Sequence, residues 1–66
     1  MVTQNEVVAV VEGPQGKAEI LETPDATGRG VQYEVRFQGE GGPYEAKFPT
    51  MGEAYITAKE KAGVKG

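Results

Sequence analysis

The sequence predicts a small two-layer α+β domain over residues 1–66, in the order β-β-β-β-α, with one C-terminal helix packed on one face of an antiparallel sheet. Two observations predict the strands. Two pairs of strand-length runs are each separated by a short glycine-containing turn, and the second pair alternates between apolar and polar residues. The helix is predicted because apolar residues after Pro49 recur with helical spacing. The sequence leaves open whether both hairpins share one sheet.

The first predicted hairpin has strands at about 6–12 and 17–23, joined by a turn at 13–16 with the sequence GPQG. Pairing Glu12 with Lys17 across this turn makes both faces of the first strand apolar. One face carries Val7, Ala9, Val11, Ala18 and Ile20. The other face carries Val8, Val10, Glu19 and Leu21. A loop at about 24–30, rich in turn-forming residues, links this hairpin to the next.

The second predicted hairpin has strands at about 31–38 and 43–48 around a glycine-rich turn. One register satisfies both of its faces, which is why that register is predicted. The apolar pairs are Phe37 with Tyr44, Val35 with Ala46 and Tyr33 with Phe48. The pairs of opposite charge are Arg36 with Glu45 and Glu34 with Lys47.

The predicted helix covers about residues 51–62. Thr50 and Glu53 have the spacing of a capping box, in which each side chain accepts a hydrogen bond from the backbone amide of the other residue. Gly63 and Val64 have the order expected of a glycine that ends a helix and a Schellman-type contact. The predicted apolar stripe consists of Met51, Ala54, Tyr55, Ala58 and Ala62.

Composition excludes most enzyme chemistry. The chain has no cysteine, histidine or tryptophan, and its sequence contains no serine. Disulfides, thiolate or imidazole metal ligands, and Ser/His or Cys/His catalysis are therefore excluded. We expect a non-catalytic protein without a metal or other cofactor, and an acid/base site of carboxylates and tyrosines is the enzymatic alternative. The lack of a long apolar run predicts no membrane segment and a cytoplasmic location.

A protein-interaction surface is predicted on the first hairpin, because one helix cannot cover both of its apolar faces. Val8, Val10 and Leu21 form the predicted exposed patch. Ile56 lies roughly 140° from Met51 on a helical wheel, so it is predicted to face solvent as part of the same interaction surface. The expected partner is another protein or a second copy of this chain, which would give a homodimer. Alternatively, a chain end or the twist of a small sheet hides the three aliphatic side chains.

Residues 31–62 also resemble a known family. An aromatic strand, a glycine-rich turn, a second short strand and a Phe-x-Thr-x-x-Glu-Ala helix start, here Phe48, Thr50, Glu53 and Ala54, are similar to the AP2-like domains at the N-terminus of integrases. The resemblance implies a three-stranded sheet plus helix, whose exposed sheet face enters the DNA major groove.

Nucleic-acid binding is therefore the alternative function. It would use the outer face of the second hairpin, through Gln32, Arg36, Gln38 and Lys47, with Arg29 gripping the backbone. Gly28 and Gly30 leave the backbone around Arg29 open enough to receive an anion. Glu34 and Glu45 lie on the same face, and the net charge of −3 disfavours a nucleic-acid partner.

Overall fold

The computed structural model describes residues 6–64 as one four-stranded antiparallel sheet with a helix packed against it. The elements are β1 (Glu6–Gly13), β2 (Gly16–Pro24), β3 (Val31–Gly39), β4 (Tyr44–Phe48) and α1 (Met51–Ala62). The predicted α+β fold class is confirmed. The strands lie in the order β1-β2-β3-β4, so the pairing of β2 with β3 joins both hairpins in one sheet. Within the described part of the chain, no helix is long and apolar enough to cross a membrane.

The second hairpin has the predicted register. Val35 lies opposite Ala46 on one face, and Arg36 lies opposite Glu45 on the other. This agreement has a physical cause, since a shift by one residue would put every apolar side chain of the hairpin on the wrong face. The strand bounds differ from the prediction at the turn: β3 extends by one residue, to Gly39, and β4 begins at Tyr44. Pro43, which has no N–H to donate, lies in the turn.

The first hairpin follows its predicted register from the turn as far as Ala9, which lies opposite Ile20. Between Val7 and Ala9 the register shifts, and Val7 then lies opposite Leu21. Such a bulge places one extra residue in one strand and exchanges the faces of the residues beyond it. The prediction that Val7 shares the helix-covered face with Ala9 is therefore wrong.

Both ends of α1 are capped by nearby residues. The Glu53 backbone N–H donates to the Thr50 hydroxyl at 3.3 Å, which is one of the two predicted capping-box bonds. Gly63 has a left-handed φ of 84°, and the Val64 N–H donates to the Lys59 carbonyl at 2.9 Å, as expected of a Schellman motif. The helix therefore begins and ends at the predicted residues.

The core lies between α1 and the inner face of the sheet, the face that α1 covers. Three alanines, Ala54, Ala58 and Ala62, are fully buried on the helix, so the helix can approach the sheet closely. Tyr55 was predicted in the same stripe but is exposed, because it lies at the margin of the stripe, where the Lys59 Nζ stands 5.3 Å from its ring centroid. The buried cluster consists of Val11, Ala18, Ile20, Val35, Phe37, Ala54, Ala58 and Ala62.

Candidate protein-interaction surface

The two edges of the sheet are β1 and β4, and they differ in character. β4 has only five residues, and Pro43 and Pro49 flank it. Short edge strands bordered by proline are a common protection against unwanted strand pairing. β1 has eight residues and contains no proline; Pro14 follows it in the turn to β2, and a bulge lies between Val7 and Ala9. β1 is therefore the edge that a further strand can reach.

Exposed valines lie along β1. The exposed fractions are 47% for Val7, 43% for Val8 and 51% for Val10. Val10 pairs with Glu19 of β2, so it lies on the outer face of the sheet, away from α1. Val7 pairs with Leu21 and lies on the same face, and Val8 sits at the bulge between them. We call these three residues the β1 patch.

The position of α1 on the inner face of the sheet leaves the outer face, with Val7 and Val10, uncovered. The helix begins just after β4 and ends at the turn between β1 and β2, where the Gln15 N–H donates to the Ala62 carbonyl at 2.9 Å. The helix thus crosses the sheet from one edge to the other and packs mainly against β2 and β3.

Leu21 does not belong to the exposed surface, contrary to the prediction. The sequence predicts that it is exposed beside Val10, but it is buried, with 5% of its surface accessible. Leu21 lies on the outer face of an interior strand, directly between Val7 on β1 and Glu34 on β3. Cross-strand neighbours on both sides are close enough to cover its side chain. Leu21 supports the β1 patch from beside it and is not part of the accessible surface.

Ile56 is exposed, as predicted, with 58% of its surface accessible. It lies on α1, which covers the inner face of the sheet, whereas Val10 lies on the outer face. The two side chains therefore point away from opposite sides of the domain. Of the predicted set, Val8 and Val10 are exposed on β1, Val7 joins them there, and Ile56 lies on the other side of the domain.

Val7 is the residue that the sequence interpretation missed. The run from Val7 to Val11 is apolar throughout, so alternation cannot reveal which face each side chain occupies. A glycine often marks a bulge in a strand, but none occurs in this run. The pairing of Val7 with Leu21 follows only from the three-dimensional register.

The negative charge of the protein is concentrated around the β1 patch. Residues 1–24 contain four acidic side chains and one basic side chain, a net charge of −3, and residues 25–66 contain six of each. These two sums account for the whole net charge of −3. The charged residues of the first segment all lie on β1 or β2, namely Glu6, Glu12, Lys17, Glu19 and Glu22.

The outer face of the second hairpin carries the residues of the nucleic-acid alternative, but its central cation is already paired. The Arg36 Nε donates to the Glu34 carboxylate at 3.2 Å and lies 3.7 Å from the Glu45 carboxylate. The hydrogen bond to Glu34 raises the pKa of Arg36 above its usual value. Lys47 lies opposite the same Glu34. A phosphate would therefore compete with two carboxylates for Arg36.

The remaining residues of that alternative do not form one basic surface. The Gln32 side-chain amide donates to the Pro24 carbonyl at 3.4 Å, and Gln38 is exposed opposite Lys17. Arg29 lies on the loop at the far end of the sheet. There it lines a shallow hollow of about 360 Å³ whose other lining residues include Glu6 and Glu22. Two carboxylates therefore share the surroundings of this guanidinium group.

The backbone around Arg29 already binds a carboxylate of its own chain. The Asp25 Oδ1 accepts hydrogen bonds from the Thr27 N–H at 2.9 Å, the Thr27 hydroxyl at 2.6 Å and the Gly28 N–H at 3.0 Å. The Arg29 N–H donates to the Thr27 hydroxyl at 3.1 Å. The predicted open anion site is therefore occupied internally, because Asp25 uses the amides that would receive a phosphate.

The hydrogen bonds that Asp25 accepts make the stability of this loop depend on pH. The Thr27 hydroxyl bond lowers the pKa of Asp25 below its usual 3.8. A depressed pKa means that the carboxylate stabilises the folded loop above the unfolded pKa, and that this contribution is lost as pH falls through the folded value. We expect the Thr27 and Gly28 amide signals in NMR spectra to move together with a midpoint below 3.8, and Asp25→Asn to abolish that transition. A midpoint above 3.8 would contradict the hydrogen-bonding scheme.

In comparisons with family models, curated proteins and solved structures, this chain has no match. The resemblance of residues 31–62 to AP2-like domains stays a prediction. Within residues 6–64, acidic side chains do not gather in groups of three that could hold a metal ion.

Proposed function

We propose that this protein is a small non-catalytic interaction module that binds another polypeptide through the β1 patch. One observation carries the proposal: three valines are each about half exposed on the longer of the two edge strands of the sheet. Scattered single apolar residues are ordinary on protein surfaces, whereas neighbouring ones along one strand edge indicate a contact surface. A cytoplasmic location stays a prediction.

Nucleic-acid binding through the second hairpin is the weaker proposal. Affinity for nucleic acid comes mainly from neutralising phosphates with unpaired lysine and arginine side chains. Arg36 instead lies between Glu34 and Glu45, and Arg29 shares its hollow with Glu6 and Glu22. These carboxylates oppose an approaching phosphate.

Val10→Lys is the variant that tests the interaction module. Lysine at this position lies opposite Glu19, so the cross-strand pair supports the strand while the apolar contact is lost. A glutamate there would face Glu19 and weaken the fold. Ile56→Lys is the matched control, because it changes an apolar residue of similar exposure on the opposite side of the domain.

The experiment uses the wild type and both variants as immobilised baits and compares the proteins that each retains. We expect at least one partner to be retained by the wild type and Ile56→Lys and to bind at least tenfold more weakly to Val10→Lys. Light scattering of the same three proteins tests the predicted homodimer, since a wild-type dimer that Val10→Lys dissociates would make a second copy the partner. If Val10→Lys retains the same partners as the wild type and has the same solution mass, the proposal is contradicted.

A further inference from the structure

We infer that the partner of the β1 patch is an extended, positively charged segment of another protein that adds a strand to the edge of β1. In this arrangement its apolar side chains lie on the β1 patch, and its lysines or arginines lie beside the glutamates of the first hairpin. The inference rests on the proposed function and specifies the chemistry of the partner.

The backbone of β1 favours strand addition. β1 pairs with β2 on one side, and among residues 6–64 no strand lies on its other side. Alternate residues of an edge strand point their N–H and C=O groups outward, where a further strand can bond to them. Recognition by strand addition takes affinity from these main-chain bonds and specificity from alternate side chains.

The charges around β1 favour a basic partner. Glu6 and Glu12 stand at the two ends of the apolar run of β1. Glu6 lies directly opposite Glu22, and like charges in this position destabilise a strand pair. Two cations stand near these carboxylates: Arg29 lines a hollow with Glu6 and Glu22. At the turn end of the hairpin, Lys17 lies opposite Glu12 and 3.9 Å from Glu19. Arg29 supplies one positive charge beside the two carboxylates of Glu6 and Glu22, so a lysine or arginine of the partner would neutralise the negative charge that remains.

The same charges oppose a second copy of this chain. The run from Glu6 to Glu12, EVVAVVE, reads identically in both directions. Antiparallel pairing of two copies about Ala9 would place valines opposite valines, but it would also place Glu6 opposite Glu12 of the partner subunit, twice.

The small size of the β1 patch also argues against a second folded copy as the partner. A stable interface between folded proteins buries roughly 800 Å² on each partner. Three valines that are each about half exposed supply only a small part of that area. A strand that adds main-chain hydrogen bonds and charge pairs needs less apolar area than a rigid dimer. The β1 patch therefore fits an extended segment better than a second folded copy.

Three synthetic peptides test this inference against the wild-type protein, labelled with ¹⁵N and observed by NMR. The first alternates valine with threonine and carries two lysines at each end. The second has glutamates in place of the lysines, and the third has serines in place of the valines. We expect the lysine-flanked valine peptide to shift the amide signals of β1, to bind at least tenfold more tightly than either control, and to bind more weakly as salt is added.

Other outcomes separate the inference from the proposed function. Equal binding of the lysine-flanked and glutamate-flanked valine peptides would overturn the charge requirement and leave the interaction surface in place. Signals of β1 that move with protein concentration, without any peptide, would make a second copy the occupant and overturn the inference alone. Absence of any effect on β1 would overturn the inference, and if no partner depends on Val10 either, the proposed function fails with it.

Discussion

Replacing Ile20 with alanine should remove most of the stability of the fold. Ile20 is one of the two largest fully buried side chains, and it lies on interior strand β2 opposite Val35, the other one. Truncating such a residue costs about 2–5 kcal/mol, because the transfer energy is lost and a cavity remains. A single core in a domain of 66 residues rarely supplies more than about 3–5 kcal/mol.

Urea unfolding followed by circular dichroism measures this loss directly. Val10→Ala is the matched control, since it shortens an apolar side chain of the same sheet that is half exposed. We expect that control to change the free energy of unfolding by less than about 1 kcal/mol. Similar losses for Ile20→Ala and Val10→Ala would contradict the placement of the core between α1 and the inner face.

Replacing Gly39 with alanine should produce the second large effect. A Cβ atom at this position would overlap the Gln15 carbonyl oxygen and lie 2.7 Å from the Cα of Gly16. The same Gln15 oxygen accepts a hydrogen bond from the Glu40 N–H at 2.9 Å, so the two hairpin turns are in direct contact here. Backbone atoms cannot move aside as a flexible side chain can, so we expect a loss of about 1–3 kcal/mol or more.

Gly52→Ala is the control for this second prediction. Gly52 lies in α1, and a Cβ there would meet nothing within 4 Å. The same chemical change should therefore stabilise the protein, by up to about 1 kcal/mol, because alanine favours the helix more than glycine does. A loss of stability in Gly52→Ala, or none in Gly39→Ala, would contradict the packing of the two turns.

The second hairpin and the helix could be predicted from the sequence because each carries redundant local signals. Arg36 and Val35 belong to different faces, yet both require the same register in order to meet Glu45 and Ala46. Thr50 accepts the expected bond from the Glu53 amide at the start of the helix. Where several short-range interactions require the same register or the same helix start, contacts with the rest of the fold are not needed to predict it.

The first hairpin could be predicted only in part, because its first strand is apolar on both faces. The turn fixes the pairing of Glu12 with Lys17, but nothing in the run from Val7 to Val11 marks the bulge. The burial of Leu21 depends on Glu34, which belongs to the other hairpin. That contact exists only because the two hairpins share one sheet, which the sequence left open.

In the candidate surface, too, the exposure of single residues could be predicted locally, whereas their relative placement depends on the three-dimensional fold. Exposure of Val10 follows from the pairing of Glu12 with Lys17 across the turn, and exposure of Ile56 follows from helical spacing, so both were predicted. Their separation on opposite sides of the domain follows from where the helix packs. The contact between Arg36 and Glu34 joins residues two apart on one strand, and it depends on side-chain conformation that a register does not specify.

Amide hydrogen exchange tests most directly whether β1 is the binding edge. The measurement compares the protein alone with the protein saturated by the lysine-flanked valine peptide. We expect the exchange of outward-pointing β1 amides to slow at least tenfold in the complex, while the amides of β4 keep their rates. Unchanged exchange along β1, or protection at β4 instead, would show that this strand is not the binding edge.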